Sequence, residues 1–122
     1  MTRIAGIAPN DSPEFRRLEP LWSFETSAHF TPAERVALEL APAAGQVPNA
    51  AADALFARLR EHWGEEQILE MVGVAALFGF PNRWNGTLAT PLEDHPVAVA
   101  QRHLAPHGWT PGKHQPRSGG SP

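Results

Sequence analysis

Between Glu70 and Arg83 the chain carries no charge, and from Met71 to Phe80 every residue is apolar or glycine. This run is ten residues long, about half of the roughly 20 that a bilayer span requires, so protein rather than lipid has to cover it. Glu65, Glu66 and Gln67 precede it and suit the positive end of a helix, which predicts a helix from Glu65 to at least Phe80. A helix that is apolar all round must be covered all round. A chain of 122 residues with three or four other short helices cannot do that alone, so the sequence predicts association with another copy or with a partner chain.

Composition points the same way. Alanine and leucine number 30 against nine valines and isoleucines, a bias toward helix formers and away from the β-branched residues that strands prefer. An all-α fold in one domain is expected: an N-terminal arm and short helix over 1–20, a helical body over 21–105 and a flexible tail over 106–122. The net charge of −3 leaves no basic excess to recruit phosphates, so nucleic acid is not an expected partner. The absence of cysteine excludes a disulfide framework, thiolate metal ligands, a CxxC redox centre and a cysteine nucleophile. Met1 to Ile7 lack the apolar core and cleavage site of a secretory signal, and no run suits a membrane span, so a cytoplasmic location is the expectation.

Local signals place the remaining helices. Ser12 and Pro13 suit the cap and first position of a short helix to about Glu19, which Pro20 should end or bend. Thr31-Pro32-Ala33-Glu34 sets a hydroxyl at the N-cap, proline at the first position and a carboxylate at the third, a reciprocal capping box. It predicts a helix from Pro32 to Ala41, closed by Pro42 and Gly45. After a turn at Val47-Pro48-Asn49, Leu55, Phe56, Leu59 and Trp63 fall at helical spacing, with Asp53 as N-cap or Asn49 starting one turn earlier. Beyond Pro81 the long helix either continues with a kink or a new one begins. A last short helix is expected from Pro96 to Leu104, followed by a Pro- and Gly-rich tail.

Leu21-Trp22-Ser23-Phe24-Glu25-Thr26, Phe30 through Leu38, Leu59-Arg60-Glu61-His62-Trp63 and Glu65 through Glu70 together resemble the second half of a carboxymuconolactone decarboxylase-like, or alkylhydroperoxidase-like, domain. Leu77 through Asn85, with Leu92-Glu93-Asp94 and His107-Gly108-Trp109, is similar to the C-terminal signature of one bacterial branch, so the likeness runs from Leu21 to His114. The resemblance implies a compact helical domain that oligomerises. Its thiol-dependent members reduce hydroperoxides through a CxxC pair, which in this branch precedes the segment matching Leu21. No cysteine stands there, so those redox residues map onto no position of this chain and no peroxidase activity is expected. Pro81 is a second departure, because an unbroken apolar residue is usual at that point.

Two residues are candidate site residues. Arg83, flanked by Asn82, Trp84 and Asn85, either anchors a substrate carboxylate bidentately or pairs with an acid such as Glu34, Glu39 or Glu70, and the structural pairing is the favoured expectation. Glu70 is either a proton shuttle or a residue on the wet edge of its helix, the second being favoured. His103 and His107 have the i, i+4 spacing of a metal pair, but Pro106 and Gly108 disrupt the helix and no nearby carboxylate completes a set, so no metal is expected. Trp22, Trp63 and Trp84 read as core rather than as the wall of a ligand pocket. Motifs for nucleotides and for hydrolase nucleophiles are absent, and no cofactor is expected. The expected function is a non-redox helical module of this family that oligomerises, or that depends on a partner chain for the missing half-domain. The alternative is a thiol-independent enzyme acting on a small carboxylated or lactone substrate.

Overall fold

The computed structural model describes residues 16–115, and these are all-helical, with no strand among them. Four α-helices follow in order: α1 Pro32–Ala44, α2 Asp53–Arg60, α3 Glu65–Leu88 and α4 Asp94–His103. Three short 3-10 turns, Glu19–Ser23, Ala105–His107 and Gly112–His114, flank them. The expected arm, the first three residues of the helix proposed from Pro13 and the final residues of the tail lie outside the described residues; the expected end at Pro20 is not seen, because the 3-10 turn Glu19–Ser23 runs through it.

The capping box at α1 forms as its spacing requires. Thr31 Oγ1 accepts a hydrogen bond from the Glu34 N–H at 3.2 Å, and Glu34 Oε2 accepts one from the Thr31 N–H at 3.0 Å. The helix does not stop before Pro42, as expected, but runs on to Ala44. Proline here stands in the last turn, where its missing N–H costs one helical bond, and the Gly45 N–H still reaches the Ala41 carbonyl at 3.0 Å.

The start of α2 also differs from expectation. Ala52 occupies the N-cap with no side-chain bond and Asp53 is the first helical residue. Asn49 instead spans the preceding turn, accepting from the Ala51 N–H at 2.9 Å and donating to the Ala44 carbonyl at 3.3 Å. Trp63 lies in the turn after α2, not on it.

α3 passes through Pro81 as one unbroken helix of 24 residues and ends at Ala89, whose φ of 51° places it in the left-handed region. α4 starts at Asp94, so Pro96 falls in its first turn, where the lost N–H has no intrahelical partner in any case.

The core is small and lies at one end. Val36 and Leu40 of α1, Leu55 and Leu59 of α2 and Ile68 of α3 form one buried cluster, extended by Trp63 and Met71. Trp63 Nε1 donates to the Ala33 carbonyl at 3.0 Å, which satisfies its polar edge while the ring packs on the cluster. Past Met71, α3 leaves this cluster, and Leu77, Phe78, Phe80, Trp84 and Leu88 are exposed.

Candidate functional site

Glu70 and Arg83 both line an open groove of about 930 Å³ between α1 and α3, whose walls include Leu40, Ala44, Val74 and Phe78. They stand 13 residues apart on one helix, hence about 20 Å apart along its axis, too far to act on one small substrate atom together. Both side chains are exposed.

Arg83 makes no ion pair or hydrogen bond with any described residue. Two of the acids expected to hold it are taken elsewhere. Glu34 Oε2 accepts from Arg17 at 2.8 Å, with the Arg17 guanidinium 4.8 Å from the centre of the Phe30 ring. Glu39 accepts both terminal nitrogens of Arg58, one at 3.0 Å, which clamps α1 to α2. Hydrogen bonding to the Thr31 backbone and to Arg17 holds the Glu34 carboxyl below the usual glutamate range, and Arg58 does the same for Glu39. Glu39 in turn raises the pKa of Arg58. Phe80 and Trp84 stack at 6.2 Å and, with Arg83, border a shallow concavity of about 420 Å³.

A second cluster joins the two ends of the described chain. Glu19 places one carboxylate oxygen 3.1 Å from His107 Nε2 and the other 4.0 Å from His103 Nδ1, while Trp22 stacks on the His107 ring at 4.8 Å. Sequence reasoning missed this carboxylate because 88 residues separate it from His107. It does not make a metal centre: no three His, Asp or Glu residues among the described ones are arranged to hold an ion.

The segment expected as a tail is, as far as Gln115, tied back to the body: the Leu92 N–H donates to the His114 carbonyl at 3.0 Å, and His114 Nδ1 lies 2.9 Å from the Thr90 carbonyl oxygen. The expectation that Trp22 and Trp84 are core is corrected, since both are more than half exposed and only Trp63 packs on the buried cluster.

Among the described residues no helix is long and apolar enough to cross a membrane. No family model matches this chain, and no curated protein or solved structure is significantly similar to it.

Proposed function

We propose that this chain is a non-redox helical module whose role is to associate, related to the carboxymuconolactone decarboxylase-like family but without its thiol chemistry. One observation carries this reading: the apolar face of α3 from Leu69 to Leu88 has no cover within the described chain. Apolar patches of more than a few hundred Å² are uncommon on monomers and mark surfaces that meet another macromolecule. Sedimentation at micromolar concentration should show an oligomer, and the melting temperature should rise with protein concentration because the folded state gains by mass action. A monomer that melts cooperatively would overturn the reading.

Arg83 favours a second reading. Its guanidinium has no partner among the described residues and sits beside the Phe80–Trp84 stack, an arrangement able to hold a small aromatic carboxylate by a planar fork and an apolar wall. In that reading the chain is a thiol-independent enzyme of the same family and Arg83 its substrate anchor. Benzoate titrated against the protein should then bind, and Arg83→Lys should weaken binding at least tenfold while leaving the melting temperature unchanged. Absence of binding by the unmodified chain removes this reading.

A further inference from the structure

Among the exposed residues of α3, Leu69, Gly73, Leu77, Phe80, Trp84 and Leu88 line up as one stripe, while Val72, Val74 and Phe78 are exposed outside it. At 3.6 residues per turn they span about 100° of the helix surface. The opposite side carries Ile68, Met71, Ala75 and Gly79, which are buried or half-buried, together with Phe78 and Asn82, which are exposed. The five large side chains of the stripe are between 60% and 68% exposed.

Two properties of the stripe bear on what covers it. Its steps of four, four, three, four and four residues read the same in both directions, so an antiparallel copy of the stripe matches it position for position. In that register Leu69 faces Leu88 of the second copy, Gly73 faces Trp84 and Leu77 faces Phe80.

Gly73 is the second property. A Cβ built there meets nothing within 4 Å among the described residues, and the residue is ordinary helix, so the packing of the described residues does not ask for glycine. Glycine also weakens a helix interior relative to alanine. The notch it leaves fits a bulky knob from outside, and Trp84, stacked on Phe80, is such a knob.

Charge favours the same orientation. Glu65, Glu66 and Glu70 gather at the N-terminal end of α3, and a parallel pair would set them against their own copies, whereas an antiparallel pair separates them and opposes the helix dipoles. The stripe offers on the order of 500 Å² per chain by the usual sizes of these side chains, and twice that, about 1,000 Å², is where specific interfaces begin.

We propose that a second copy of this chain covers the stripe in a two-fold antiparallel pairing of α3 helices, with Gly73 of each copy receiving Trp84 of the other. The pairing rests on the associating role proposed above and specifies its partner and register.

The test combines sedimentation with cross-linking, for which a chain without cysteine is suited. Gly73→Leu should raise the dimer dissociation constant at least tenfold, although leucine is the better helix former, and Gly73→Leu with Trp84→Ala should restore most of the loss. A short bis-maleimide should join Leu77→Cys to Phe80→Cys and Leu69→Cys to Leu88→Cys in mixed samples. It should not join Leu69→Cys to itself, because the 19-residue offset puts those positions about 28 Å apart. An unmodified chain that stays monomeric, its stripe covered by its own N-terminal residues or by an unrelated protein, overturns both the associating role and the pairing. A dimer that ignores Gly73→Leu, or that cross-links Leu69→Cys to itself, overturns the pairing and leaves the associating role standing.

Discussion

Glu39 and Arg58 show what one residue can contribute at a surface. The guanidinium donates to both carboxylate oxygens and joins α1 to α2 across 19 residues of sequence, a forked geometry that adds direction to the charge attraction. Exposure and salt screening limit its effect, so Glu39→Gln should lower the melting temperature at neutral pH by no more than a few degrees. The pH dependence has a definite sign. Glu34 and Glu39 both titrate below the usual value of 4.5 in the folded chain. As pH falls, the unfolded chain therefore takes up their protons first, and stability that is fully present above about pH 5 is lost as pH drops through the folded values. Thermal melts between about pH 6 and pH 3 should show a steeper acid loss for the unmodified chain than for Glu39→Gln. Equal slopes would mean that the Arg58 contact is not what holds this carboxyl ionised.

α3 is the element on which most of the behaviour turns, and Pro81 is its internal cost. A proline in a helix interior removes a backbone bond and crowds the carbonyl four residues before it, at a cost of about 3 kcal/mol in a regular helix. Here that carbonyl belongs to Leu77, and the helix nevertheless runs on to Leu88. Pro81→Ala should raise stability by about 1–3 kcal/mol and increase far-ultraviolet ellipticity, the lower figure applying where local adjustment already relieves the clash. A destabilised variant would show instead that Pro81, which is half-buried, packs against something its replacement cannot meet. The beginning of the element was legible in the sequence, because Glu65 and Glu66 suit a helix start and Gly64 precedes them; the Gly64 N–H bonds Gln67 Oε1 at 2.9 Å. Its end was not. Ala89 closes the helix in a left-handed conformation that glycine or asparagine ordinarily supplies, so no residue type marks the boundary.

For the whole molecule the limiting quantity is core size. Six apolar residues are buried among those described, and only Leu40 and Leu59 are sealed off fully. Leu59→Ala should cost about 3 kcal/mol, a transfer loss plus a cavity that three short packing elements cannot close. Against the roughly 5–15 kcal/mol of an ordinary domain that is a large share, and equilibrium denaturation should show the variant partly unfolded at physiological temperature. If the loss is under about 1 kcal/mol, the cluster of α1, α2 and the first turns of α3 is not what holds the fold.

Helix positions were largely readable from the sequence because they depend on bonds within a turn or two: the capping box at Thr31, the spacing of Leu55 and Leu59, and the acidic start at Glu65 each act over three or four residues. The exclusion of thiol chemistry was readable too, since it needs only the absence of cysteine. The pairings were not readable, and they define what surrounds the candidate site. Which acid meets Arg17 or Arg58, which carboxylate reaches His107, and that Arg83 is left without either of Glu34 or Glu39, are decided across 17 to 88 residues of sequence. Packing of one helix against another sets such distances, and no local pattern encodes them. Likewise the charge-free run marks α3 as apolar all round, but only the tertiary arrangement separates the residues it buries or half-buries, Ile68, Met71, Ala75 and Gly79, from the stripe it leaves open.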